Sequence, residues 1–239
     1  MGEVVLVRHG QANSGATDEE SYDQLSPLGE QQASWLGDWF RARGESFELA
    51  ISGSLRRQRH TAAGILGDQT VEVDQRFNEL DYFNLAQALK DVHGVPLPQP
   101  KDFPAHIPQV FNAWHQAEII GNETFASFED RVVAALRDAG KEGRHALCVT
   151  SGGVIGMIVR HLLRLDATRM AHVLLPIRNT SVHRVRVLPD GLFLESYNAT
   201  PRLDAPARAG ARTPRESTGA ALSRRGSPQA AAQSPGTPQ

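Results

Sequence analysis

The chain has 239 residues, 40% of them hydrophobic and 22% charged, with a formal net charge of −2. That is enough apolar material for one good-sized core, and the charge balance excludes the broad basic field that draws in nucleic acid. The single cysteine, Cys148, excludes an internal disulfide framework.

Cys148 lies in an apolar run and reads as packing rather than as a reactive thiol. No apolar segment approaches the ~20 residues of a membrane span. Met1-Gly2-Glu3 has none of the basic residues that open a signal peptide. A cytoplasmic protein is expected, with no membrane and no nucleic-acid partner.

In chain order, Val4-Val5-Leu6-Val7 is a run of valine-rich aliphatic residues, the pattern of a strand buried on both faces. It stops at Arg8-His9-Gly10. In an open α/β sheet, ligands bind beyond the carboxyl ends of strands. A cation and an imidazole at such an end suit an anionic substrate and a nucleophile or acid–base group. Gly10 is expected to turn the chain and leave room for a ligand.

A polar loop follows. Ser26 and Pro27 then supply an N-cap and a first helical residue for a helix to about residue 43. Residues 47–52 read as a strand, 55–66 as a helix and 70–73 as a short strand. From 79 to about 122, five prolines (Pro96, Pro98, Pro100, Pro104 and Pro108) break the pattern. Short helices are expected there near 85–92 and 110–119, within an insertion over one end of the sheet. A helix at 125–139, a strand at 146–150 and an apolar helix at 154–165 follow. Strands at 181–187 and 192–197 are joined by the turn Pro189-Asp190-Gly191.

Strands alternating with helices specify an α/β fold. The expectation is a three-layer α/β/α sandwich with a mostly parallel sheet, one antiparallel edge strand and a helical lid insertion at about 80–122. Residues 1–200 form the expected catalytic domain. Residues 201–239 hold six of the fourteen prolines and no Phe, Tyr, Trp, Ile, Val or Met. Such a segment cannot offset its chain entropy by burial, and a disordered, solvated tail is expected.

Three further stretches join the first motif. Arg56, Arg57 and Arg59 open the helix after the second strand. A helix amino terminus and a guanidinium fork both favour phosphate, although arginines there also suit a wet helix face. Glu79 follows the third strand, either as a general acid or as a salt-bridge partner for those arginines. Ser151-Gly152-Gly153 joins a strand to a helix; its glycines admit a ligand to the backbone, and Ser151 is either a ligand or an N-cap.

Together these motifs resemble the histidine phosphatase superfamily, also called the phosphoglycerate mutase-like family. The resemblance covers roughly residues 3–200. It rests on Leu6-Val7-Arg8-His9-Gly10, Leu25-Ser26-Pro27-Leu28-Gly29 with Gln32-Ala33, Arg57 ahead of Thr61-Ala62, Asn78-Glu79, Gly121-Asn122-Glu123-Thr124-Phe125 and Asn179-Thr180-Ser181. A bacterial subgroup with Arg-His-Gly-Gln-Ala, Tyr-Asp-Gln-Leu-Ser (residues 22–26) and Ser-Gly-Gly is the most similar.

The resemblance implies a metal-independent phosphatase with no cofactor, acting on a small phosphorylated molecule. His9 would form a phosphohistidine, with Glu79 as proton donor. Arg8 and Arg57 would bind phosphate with Ser151 and Gly152. The family usually has a second histidine where this chain has Ser151, which implies a slower enzyme. The alternatives are a phosphate-binding pseudoenzyme and, ranked below it, a phosphoglycerate-type mutase.

Overall fold

The computed structural model describes residues 1–13, 22–204 and 206–213. Six strands form one sheet: β1 (Gly2–Arg8), β2 (Leu49–Ser52), β3 (Glu72–Val73), β4 (His145–Thr150), β5 (Val182–Leu188) and β6 (Gly191–Ala199). Their order across the sheet is β3-β2-β4-β1-β5-β6. The first four are mutually parallel. The closing hairpin adds the antiparallel edge: β5 runs against β1, and β6 turns back beside it as the outermost strand.

The aliphatic run of β1 works on both faces, as its lack of alternation requires. Val4 and Leu6 join one apolar cluster, and Val5 and Val7 the other. Helices α1 (Pro27–Ala42) and α2 (Arg56–Leu66) cover the second cluster through Ala33, Leu36, Phe40, Ala62 and Ile65. The opposite face carries α3 (Tyr82–His93), α4 (Phe103–His115), α5 (Phe125–Ala139), α6 (Gly152–Leu163) and α7 (Ala167–Leu174). The result is the expected α/β/α sandwich. No helix of the described residues is long and apolar enough to cross a membrane.

Several elements depart from the sequence expectation. The insertion helices are longer than expected: no proline interrupts α3, and α4 carries Pro104 in its first turn, where a missing N–H costs nothing, and runs on through Pro108 in its interior. Phe103, Ile107, Phe111 and Trp114 are buried in the main core, so this segment builds the layer as well as reaching over the sheet. Helix α7 has no counterpart among the expected elements; Asp166 caps it, accepting from Arg169 N–H at 2.7 Å.

The largest departure is at the start of the expected tail. Residues Pro201–Leu203 and Pro206–Ala211 form 3-10 turns packed on the domain. Leu203 is fully buried and Arg202 nearly so. Arg202 donates to the carbonyl and hydroxyl of Thr180, and Arg208 lies 4.6 Å from the Trp35 ring centroid. Composition missed this because polar contacts, rather than a large apolar area, hold most of the strap. Residues 214–239 lie outside the described residues.

Candidate active site

The parallel strands deliver their carboxyl ends to one region, where an α/β sheet binds ligands. β1 ends at Arg8-His9, β2 leads through Gly53 to Arg57, β3 leads to Glu79, and β4 leads to Ser151. A cavity of about 500 Å³ opens there, and Arg8, His9, Arg57 and Glu79 all line it. Residues far apart in the chain thus meet at one place.

The His9 peptide is held from three sides. Its N–H donates to Thr150 O at 2.8 Å, continuing the parallel ladder. Its carbonyl accepts from Asn179 Nδ2 at 3.0 Å and from Thr180 N–H at 3.3 Å. Thr180 has φ of +51°, a left-handed conformation that a β-branched residue rarely adopts. Strain of about 1–3 kcal/mol beside a functional loop is a recurring feature of sites that hold a fixed geometry.

His9 Nδ1 lies 2.7 Å from Gly10 O. A carbonyl only accepts, so Nδ1 carries the proton and the lone pair belongs to Nε2. That is the tautomer a nucleophilic imidazole needs.

Gly10 serves a different purpose from the expected one. A Cβ there would lie 2.5 Å from Gly29 O. The missing side chain admits α1 against the loop after His9, rather than a ligand.

Arg57 is nearly buried, and its Nη1 pairs with Asp23 Oδ1 at 2.8 Å. The Tyr22 ring centroid lies 5.5 Å from its guanidinium carbon. Its Nε is buried without a hydrogen-bond partner among the described residues. Such an orphaned donor costs roughly 1–3 kcal/mol unless something accepts from it.

The amino terminus of α2 does not offer its amides to a ligand. Asp23 accepts from Arg56 N–H at 2.8 Å and from Arg57 N–H at 3.2 Å, and Gln58 Oε1 accepts from Leu55 N–H at 3.3 Å. From this helix it is the Arg57 side chain that lines the cavity. Arg56, Arg59 and His60 are exposed residues and do not line the cavity.

Glu79 is half-buried at the cavity wall. Its Oε2 accepts from Gly153 N–H at 3.0 Å and its Oε1 from Leu80 N–H at 3.1 Å. Arg131 donates to the carbonyls of Arg76 and Asn78 just ahead of it, at 2.7 and 3.1 Å. The carboxylate thus has a fixed base on α6 and a fixed chain segment behind it.

Ser151 takes the N-cap position of α6 but makes no capping bond. It is fully buried, and its Oγ accepts from Gln58 Nε2 at 2.8 Å. Gly152 is also buried, as the first residue of α6. Both stand behind the cavity wall and outside the set of side chains that line it.

Sequence reasoning did not single out Asp23, Gln58 or Asn84. The described residues contain one cluster of metal-ligand type, Glu3, Glu45 and His145. It sits at the far end of β1 from His9, and both carboxylates already pair with Arg184.

An imidazole with its lone pair on Nε2, two guanidinium groups and a positioned carboxylate are groups suited to phosphoryl chemistry. Residues 4–200 match the model of the histidine phosphatase superfamily (branch 1), and the chain belongs to that family. The probable phosphoglycerate mutase GpmB of Salmonella paratyphi A is 32% identical over 219 residues, covering 87% of this chain and 97% of its own length. A 2,3-bisphosphoglycerate-dependent phosphoglycerate mutase of Methylorubrum extorquens is 34% identical over 101 residues, covering 37% of this chain and 45% of its own.

Among solved structures, the phosphoserine phosphatase of Entamoeba histolytica in complex with 3-phosphoglyceric acid shares the fold. Its TM-score is 0.63 at 23% identity, and the match covers 85% of this chain and 100% of that one. A mycobacterial glucosyl-3-phosphoglycerate phosphatase gives 0.58 at 21%, covering 84% and 100%.

Proposed function

We propose that the protein is a phosphatase that hydrolyses phosphomonoesters through a phosphohistidine on His9, with Glu79 as the proton donor. The observation that carries this reading is the meeting of His9, Arg8, Arg57 and Glu79 at one cavity.

In the first step His9 Nε2 attacks phosphorus. The N–P bond forms as the ester P–O bond breaks, and the Glu79 proton goes to the leaving oxygen. The ring then carries positive charge, which the Gly10 carbonyl at Nδ1–H stabilises. In the second step water attacks phosphorus, Glu79 takes its proton, and the N–P bond breaks. Arg8 and Arg57 face the equatorial oxygens, where transition-state charge is spread. No step calls on a metal or a cofactor.

Ser151 and Gly152 enter at one remove. Ser151 holds Gln58 between α2 and α6, and Gly152 opens the helix whose next amide holds Glu79. A serine in place of a protonated imidazole leaves the phosphoryl group one charge-assisted bond short. Removing a preorganised donor costs about 2.7–4 kcal/mol in the transition state, so turnover is expected to be slow.

A pseudoenzyme that only binds phosphate has no use for a carboxylate facing an anion. Glu79 is held there by two amides, which favours turnover. The test is phosphate release over a panel of phosphomonoesters with His9→Ala as the blank. Release that depends on His9 is expected; release equal in both proteins contradicts the proposal.

A further inference from the structure

The outer wall of the cavity has its own chemistry, separate from the phosphate floor. Asp81 Oδ2 accepts from Asn84 Nδ2 at 2.6 Å and from Asn122 Nδ2 at 2.8 Å, joining the start of α3 to the loop before α5. Phe83 adds an apolar face. Among the described residues lining the cavity, the cations are Arg8 and Arg57, both at the floor. They face three carboxylates, Asp23, Glu79 and Asp81, so the described lining residues carry no surplus positive charge once a phosphate is bound.

From this we infer the substrate class: the phosphomonoester of a polar alcohol that is neutral or carries an amine, with no carboxylate or second phosphate. The inference rests on the phosphatase reading above and deepens it. A second anionic group on the substrate would meet Asp81 and two carboxamides in place of a cation. Like charges brought together in a partly desolvated cleft repel, and selection against the wrong partner works through that repulsion. Hydroxyl or amine groups instead find acceptors in Asp81 Oδ1 and Oδ2 and in the Asn84 and Asn122 amides. The same wall disfavours a mutase that must bind and rebind a substrate bearing two anionic groups.

The test is a matched pair. Glycerol 3-phosphate and 3-phosphoglycerate share the primary phosphoester and differ by a hydroxymethyl group against a carboxylate. With the full chain, kcat/KM for glycerol 3-phosphate is expected to exceed that for 3-phosphoglycerate at least tenfold. Asp81→Asn keeps an N-cap residue on α3 and removes the charge, and it should lower that ratio several-fold. p-Nitrophenyl phosphate serves as the general readout. His9-dependent release from it, with a wild-type ratio below ten or a ratio that Asp81→Asn leaves unchanged, overturns the inference and leaves the phosphatase reading standing. Absence of His9-dependent release from all three esters overturns both.

Discussion

Gly153 and Glu79 fit together without spare room: the Gly153 N–H donates to Glu79 Oε2 at 3.0 Å, and a Cβ at position 153 would lie 2.0 Å from Glu79 Oε1. The absent side chain at 153 and the placement of the proposed acid are therefore one feature. Gly153→Ala is expected to push the carboxylate off its seat and lower kcat at least tenfold, with little change in KM. Loss of a general acid costs about 10² to 10⁴ in rate when the leaving group needs a proton. p-Nitrophenolate needs far less help than an alkoxide, so the loss should be much smaller with p-nitrophenyl phosphate. An equal loss on both substrates would point to general disorder of α6.

Gln58 and Ser151 form the second such pair. Gln58 is fully buried, and its Nε2 also donates to Phe77 O at 3.2 Å. Ser151→Ala removes one of two acceptors and is expected to cost about 1 kcal/mol of stability. Because Oγ does not line the cavity, kcat should fall less than tenfold. Urea melts and initial rates on the same preparation check both halves. Ser151→His is expected to change turnover several-fold, since a ring there must displace Gln58 or enter the cavity.

The strap after Thr200 reaches the loop at His9 through polar contacts. Thr213 Oγ1 donates to Asn179 Oδ1 at 2.9 Å, and Asn179 Nδ2 donates to the His9 carbonyl. Gln32 ties the strap to the loop's other side: its Nε2 donates to Ala211 O at 2.7 Å, while its Oε1 accepts from Gln11 N–H at 2.9 Å. Truncation after Thr200 exposes the Leu203 pocket and leaves Gln32 Nε2 and Asn179 Oδ1 short of partners. The expected loss is roughly 3 kcal/mol or more, or about 6–12 °C in Tm for a chain of this size. Calorimetry on the protein truncated after Thr200, against the full chain, checks this.

His183 gives stability a pH dependence. Burial, with the Arg8 charge nearby, pushes its imidazole down to about 3 from 6.5. The unfolded chain binds a proton between those values and the folded chain does not. The stabilisation is complete above pH 6.5 and is lost as pH falls toward 3, at up to ~1.4 kcal/mol per pH unit. His183→Gln should flatten the stability profile between pH 6 and 4 relative to the parent. Identical profiles would show that His183 titrates near its ordinary value in the folded protein.

What was readable in the sequence was what rests on local pattern. The aliphatic run ahead of Arg8-His9 gave a strand, because four consecutive valine-rich aliphatic residues suit a strand buried on both faces. Ser26-Pro27 gave a helix start, because capping is local chemistry. The family resemblance joined His9, Arg57 and Glu79, which no local pattern could do.

Contacts made across the fold were not readable. Asp23 occupying the α2 amides and Gln58 holding Ser151 depend on which residues meet. The strap was hidden because its order comes from single polar bonds and one leucine, a contribution that composition averages away. Helix α7 was legible in principle: Ala167, Met170, Ala171 and Leu174 follow the capping Asp166 at helical spacing.

The most direct measurement of the central claim is covalent trapping. The enzyme is mixed with a ³²P-labelled phosphomonoester, quenched in alkali within the first turnover, and digested for peptide mapping. The account predicts one label, alkali-stable and acid-labile, on the peptide carrying His9, and none in His9→Ala. Label on another residue, or rapid His9-dependent phosphate release with no trapped label at any quench time, would contradict it.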